Sequence, residues 1–176
     1  MQIQTERLFL RDLNLDDSAF ILQLLNEPSF LHFIGDRNVR TLEDAGRYIE
    51  NGPVASYRQN GFGLYLIALK DTGVPIGMCG LIKRPALDDP DIGFALLPAY
   101  WSQGYAFEAA TAVLAYSRDV LGIGRIVAIA APDNVSSARL LGRLGLQFER
   151  LMRMPGESAD VKVFAPPALT NTVKDA

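Results

Sequence analysis

Residues Pro98 to Glu108 read Pro-Ala-Tyr-Trp-Ser-Gln-Gly-Tyr-Ala-Phe-Glu and join a strand-like segment directly to a helix-like one. The first turn of a helix carries N–H groups without intrahelical partners and the positive end of the helix dipole. Small residues there let a pyrophosphate approach the backbone. Gly104 and Ala106 are the small residues at this corner. The competing reading is that Gly104 only relieves a tight turn between strand and helix. Other phosphate loops fit poorly: the Walker pattern lacks its Gly-Lys-Ser/Thr, and Gly122-Ile123-Gly124 enters a strand instead of opening a helix.

The corner has to be held by the elements around it. Leu8 and Leu10 alternate with Arg7 and Arg11 in a strand over Thr5 to Leu13. A helix capped by Asp16 or Asp17 carries Phe20, Ile21, Leu24 and Leu25 and stops at Pro28. A second helix opens on Thr41 and Asp44, carries Ala45, Tyr48 and Ile49, and ends at Gly52-Pro53. Leu64 to Lys70 and Ile76 to Arg84 flank Asp71-Thr72-Gly73-Val74-Pro75 as a hairpin, and Asp91 to Leu97 is a further strand. The long helix after Gly104 places Ala106, Ala109, Ala110, Val113, Leu114, Val120 and Leu121 on one face before Gly122. Arg125 to Ala131 reads as a buried strand, followed by a helix capped near Asp133 or Asn134 and closed by Gly145. Val161 to Ala165 is the last clear strand. This order predicts a single α/β (α+β) domain over residues 1–168 with a mixed sheet, and a polar tail over 169–176.

Composition narrows the chemistry. The chain has 176 residues, 49% hydrophobic and 21% charged, with a formal net charge of −3. Lysines and arginines are scattered, so no basic stripe awaits nucleic acid. One Cys and one His leave no usual metal cluster, and Cys79 reads as a small buried hydrophobe rather than a nucleophile. No apolar run approaches the roughly 20 residues of a membrane span, and no signal-peptide stretch opens the chain, so the expected location is cytoplasmic. A homodimer stays open beside a monomer.

Two further segments give the corner a context. Asn134-Val135-Ser136-Ser137-Ala138-Arg139-Leu140-Leu141-Gly142-Arg143-Leu144-Gly145 follows the buried strand, and Thr5-Glu6-Arg7-Leu8-Phe9-Leu10-Arg11 opens the chain. With Asp91-Ile92-Gly93-Phe94 and the Tyr100 to Ala109 loop, they resemble the GNAT superfamily of N-acetyltransferases, and more closely its ribosomal-protein alanine N-acetyltransferase (Rim-type) branch. The resemblance runs to about Phe164. It implies a single-domain GNAT-like fold: a central mixed, mostly antiparallel, twisted sheet flanked by helices, with a splayed parallel strand pair forming the CoA cleft. It also implies acetyl-CoA as cosubstrate and a primary amine as acceptor. By the same resemblance the backbone of Phe94, Ala95, Leu96 and Leu97 pairs with the pantetheine arm. Ser102, Gln103, Gly104, Tyr105 and Ala106 hold the pyrophosphate, and Asn134, Ser137 and Arg139 complete the cofactor set. Three departures stand out: Trp101 where the wider superfamily has Arg or Gln, Ser102 where it has glycine, and Phe107 in place of a small polar residue.

For catalysis, Asp91 is the candidate base, acting through water, with a solvated surface charge as the alternative. A β-bulge in the Phe94 to Leu97 strand would free an N–H for the thioester oxygen. The superfamily's tyrosine acid is replaced by Leu141, so the resemblance passes the thiolate to Ser137, with Tyr105 a less favoured substitute assigned to packing. His32 reads as a packed, hydrogen-bonded side chain or as part of an acceptor pocket, and Glu108 as a partner of the helix dipole or a group facing solvent near the acceptor. The pocket itself would come from Phe30 to Arg40, the Lys83 to Pro90 loop and the C-terminal strands. The acceptor is a protein or peptide N-terminal α-amine or a small amine, and a non-catalytic acyl-CoA-binding module is the alternative class.

Overall fold

The computed structural model describes residues 2–168; the tail expected over 169–176 lies outside the described residues. Five strands, β1 (Gln2–Gln4), β2 (Leu8–Asp12), β3 (Leu64–Leu69), β4 (Pro75–Ile82) and β5 (Asp91–Leu96), form one sheet in chain order. A second sheet contains β6 (Ala128–Ala130), β7 (Gln147–Arg153) and β8 (Asp160–Ala165), with β8 in the middle. Every ladder within the two sheets is antiparallel. They meet in a parallel bridge between Asp91 and Val127. The expected architecture holds, and its parallel part shrinks to this bridge because β6 touches β5 only near the start of that strand.

Helices cover both faces: α1 (Ser18–Leu25), α2 (Pro28–Phe33), α3 (Leu42–Ile49), α4 (Ala55–Asn60), α5 (Tyr105–Asp119) and α6 (Val135–Arg143). On one face Leu8, Leu10, Ile67, Cys79, Ile92 and Leu96 pack with Ala109, Ala110 and Val113 of α5. On the other, Leu66 and Met78 pack with Ile21, Leu24, Leu25, Phe30, Ala45 and Ile49. Each large side chain buried in these layers contributes about 1.5–3 kcal/mol over leaving it in water. The alanines of α5 bring its axis close to the sheet, which sets the height of its first turn above the end of β5. Cys79 is fully buried, and burial pushes its thiol up in pKa, as expected of an inert core residue.

Several local expectations change. Asp17 stands at the N-cap position of α1 as expected but makes no side-chain cap bond to it; the side-chain cap is on the 3-10 turn before it, where Asn14 accepts from the Asp16 N–H at 2.8 Å. Asp17 completes that cap by accepting from the Asn14 N–H at 2.9 Å. Pro28 does not merely stop α1; it opens α2 at a first-turn position, where a missing N–H costs nothing. The Thr41 and Asp44 capping box forms as expected. The helix then runs through Gly52-Pro53 as a π turn over Glu50–Val54 and continues into α4. A widened turn has already broken the regular ladder, so it tolerates the proline ring and the lost donor. α4 ends at Gly61, whose φ is +76°. Val120 is 65% exposed, because α5 ends at Asp119 and the chain leaves the face its periodicity predicts.

Candidate functional site

β5 and β6 run parallel away from their bridge and then part. At the closed end the Ile92 N–H donates to Val127 O at 2.9 Å, and the Val127 N–H donates to Pro90 O at 3.0 Å. Because successive strand amides point to opposite sides, the N–H groups of Phe94 and Leu96 face the same way as that of Ile92, into the gap. The Leu97 N–H faces β4 and donates to Ile76 O at 2.9 Å. Of the four residues expected to pair with a cofactor arm, Phe94 and Leu96 therefore present amides, while Ala95 and Leu97 do not. The register from Gly77↔Leu96 to Ile82↔Asp91 is continuous, so the expected bulge is absent there. Splaying of β6, rather than a bulge, frees the donors.

The loop after β5 opens at the far end of this gap. Pro98–Tyr100 forms a single 3-10 turn, and Ser102 and Gly104 both adopt left-handed backbone conformations, with φ of +59° and +84°. Gly104 is the N-cap of α5, and no side chain caps that helix. The first intrahelical bond runs from the Glu108 N–H to Gly104 O at 3.0 Å, which leaves the amides of Gly104 to Phe107 without partners in the helix. The corner singled out in the sequence is thus a bare, exposed helix start.

Its surroundings suit an anion. Glu108 would oppose one, but Thr5 Oγ1 donates to its Oε1 at 2.6 Å, the Arg7 N–H to its Oε1 at 2.8 Å and Arg7 Nε to its Oε2 at 2.7 Å. Partial burial works to raise the Glu108 pKa, yet these bonds outweigh it and hold the carboxyl below its usual range. Arg7 Nη1 also donates to Gln103 O at 2.9 Å, and its guanidinium lies 4.4 Å from the centre of the Tyr105 ring. Tyr105 packs there and beside Tyr100, in line with its expected packing role. Glu108 serves as the clamp that ties the N-terminal segment to α5. Arg7 belongs to the site, although only its place in the Thr5 to Arg11 motif marked it in the sequence.

α6 starts at the same open end, since it follows the parallel strand β6. Asn134 is its N-cap and accepts from the Ser137 N–H through Oδ1 at 3.0 Å. That leaves the Asn134 amide nitrogen for a ligand, so the cap role and the expected cofactor role are compatible in this geometry. Ser137 is half-buried, and Arg139 is exposed on the same helix. Leu141, at the position of the superfamily's tyrosine, is 1% exposed and packs in the core. Arg143 sits 4.1 Å over the Phe107 ring, tying α6 to the first turn of α5.

Asp91 occupies the closed end. It is 1% exposed and pairs with Arg84 Nε at 2.9 Å, so it is not a solvated surface charge. Burial raises its pKa, and Arg84 pulls part of the way back. His32 is 63% exposed rather than packed, and its Nε2 lies 2.9 Å from Asp133 Oδ2, beside the N-cap of α6. Among the described residues no group of three or more His, Cys, Asp or Glu side chains is placed to hold a metal, and no helix is long and apolar enough to cross a membrane.

A family model described as an acetyltransferase (GNAT) domain matches residues 7–147. YoaA of Bacillus subtilis, described as an uncharacterized N-acetyltransferase, is 30% identical over 152 residues, covering 86% of this chain and 85% of that protein. The crystal structure of an acetyltransferase from Agrobacterium tumefaciens superposes with a TM-score of 0.80 at 25% identity, over 94% of this chain and 93% of that one. The fold is also that of RimL, a ribosomal L7/L12 alpha-N-protein acetyltransferase solved in complex with coenzyme A. Its TM-score is 0.74 at 19% identity, over 94% and 97% of the two chains. A gap between splayed strands that ends at an uncapped helix start, found in a chain with these relatives, has one reading: the protein belongs to the GNAT family of acetyl-CoA-dependent acetyltransferases.

Proposed function

We propose that this enzyme transfers the acetyl group of acetyl-CoA to the α-amine of a protein or peptide N-terminus, in the cytoplasm. The observation that carries the reading is the uncapped start of α5 standing at the end of the free edge of β5. Amides from Gln103 to Ala106 hold the pyrophosphate, with Ser102 turning the chain into that loop. The edge of β5 from Phe94 to Leu97 receives the pantetheine, and Asn134, Ser137 and Arg139 flank it. The thioester then lies toward the closed end, near Phe94 and Asp91. The acceptor assignment draws on the fold shared with ribosomal-protein acetyltransferases and on exposed Leu31 of α2 and Ile34 just after it, which suit a peptide better than a small ion.

When bound, acetyl-CoA supplies an acyl carbon activated by a thiolate leaving group. The Phe94 N–H, which faces the gap, donates to the thioester oxygen as charge builds on it. Asp91, through water, accepts the proton that the attacking amine gives up as the C–N bond forms. Ser137 donates toward the sulfur as the C–S bond breaks. A carboxylate whose pKa burial has raised is better matched to an amine than a surface one. Because only its ionised form accepts a proton, kcat/KM should fall as pH drops through that raised pKa.

The test is release of CoA thiol from acetyl-CoA with the purified protein, across peptides with free N-termini and a panel of small amines. Faster turnover of the peptides is expected, and Asp91→Asn should lower kcat by about 10² while leaving CoA binding within a few fold. Turnover confined to small amines would overturn the acceptor class. Tight CoA binding with no thiol released from any amine would point to an acyl-CoA-binding module instead.

A further inference from the structure

Trp101 departs from the wider superfamily's loop, and the structure gives its indole a specific partner. Nε1 donates to Leu96 O at 2.8 Å. The Leu97 N–H, in the same peptide unit as that carbonyl, donates to Ile76 O of β4. In a trans peptide the C=O and N–H point in opposite directions, so Leu96 O projects into the gap between β5 and β6. The indole therefore occupies the last acceptor on the free edge of β5. It also closes a short loop from Leu96 to Trp101 around the 3-10 turn, immediately before the paired left-handed residues Ser102 and Gly104.

We infer that Trp101 is a positioning residue that sets the register of the cofactor, an inference that rests on the proposed CoA site. With the indole on Leu96 O, that carbonyl is partly shielded, and an arm lying along β5 meets the Phe94 N–H and C=O and the Leu96 N–H before the closed end. With the loop tied to the strand end, the amides of Gly104 to Ala106 stand at a fixed distance from those groups. The strand edge and the helix start then act as one ruler, matched to a ligand that carries both a pantetheine arm and a diphosphate. Trp101 is 46% exposed, so a ligand seated at the loop can cover part of it.

Trp101→Phe keeps an aromatic ring and removes the donor. Loss of one hydrogen bond that preorganises a loop predicts a rise of about threefold to tenfold in KM for acetyl-CoA. KM for S-acetylpantetheine, which lacks the diphosphate and does not use the ruler, should stay within twofold, so the preference for acetyl-CoA should fall by the same threefold to tenfold. A merely structural role would lower Tm and weaken both acyl donors alike. Trp101 is also the only tryptophan, so CoA should shift its emission to shorter wavelength in the wild-type protein. Equal changes for both donors, or an emission spectrum unmoved by CoA that calorimetry shows to be bound, would overturn the inference and leave the CoA site standing. Wild-type protein that binds no CoA would overturn both.

Discussion

Helices α5 and α6 begin at the same end of the gap yet treat their first N–H groups in opposite ways. α6 spends an asparagine on them: Asn134 Oδ1 takes the Ser137 N–H. α5 begins at Gly104, which has no side chain to offer, and the nearby charges are arranged so that none caps it. Gln103 turns its amide back to Ala99 O at 2.9 Å, and Glu108 is held by Thr5 and Arg7. A helix end left open costs stability unless a ligand fills it, whereas a capped end is stable by itself. The difference separates a binding surface from a structural one within a single fold.

The comparison can be broken most sharply at Gly104. Gly104→Asp places a carboxylate at the cap of α5, where it serves the bare amides and repels a diphosphate. A Cβ there would also lie 3.2 Å from Arg7 Nη2. CoA affinity measured by calorimetry should fall about 100-fold, a few kcal/mol of like-charge repulsion at short range. Glu108→Gln should be next, costing about 1–2 kcal/mol in urea unfolding at neutral pH by loosening Thr5 and Arg7. Glu108 is held below its ordinary pKa, so the stability it contributes is complete above the ordinary carboxylate range and is lost as pH falls through its own lowered value. The gap between wild type and Glu108→Gln should therefore close under acid conditions.

Asn134→Ala should cost about 1 kcal/mol, seen as a Tm lower by roughly 2–4 °C, with CoA affinity reduced less than tenfold. An affinity loss as large as that of Gly104→Asp would erase the distinction between the two helix starts. The smallest effect has the opposite sign. Ser102 holds φ of +59°, a conformation costly for a side chain, so Ser102→Gly should be neutral or raise stability by a few tenths of a kcal/mol in thermal unfolding.

Much of this contrast is legible in the sequence because it is local. The Gly104 corner, the long helix behind it and the Asn134 cap are each encoded within a few neighbouring residues, and so is the Thr41 capping box. What escaped depends on distant partners or on weak pattern. Nothing in the spacing of Arg7 and Glu108 tells that they meet, and no local rule aims an indole at Leu96 O. β7 escaped because Gln147 to Arg153 is largely exposed and lacks clear alternation, and β1 because it is a three-residue edge strand. Pro28 and Pro53 misled for a shared reason: a proline marks a break in the ladder but not whether a new turn begins there. His32, read as a packed, hydrogen-bonded or pocket-lining side chain, is hydrogen-bonded but exposed, and its partner, Asp133, is one that no local pattern names.

The central claim is most directly tested by following backbone amide resonances while inorganic pyrophosphate, and then CoA, is added to the labelled protein. Open donors at the start of α5 predict that Gly104, Tyr105 and Ala106 shift first and most, with both ligands, while the capped Ser137 amide barely responds to pyrophosphate. Shifts concentrated at Ser137, with Gly104 to Ala106 unmoved by either ligand, would contradict it.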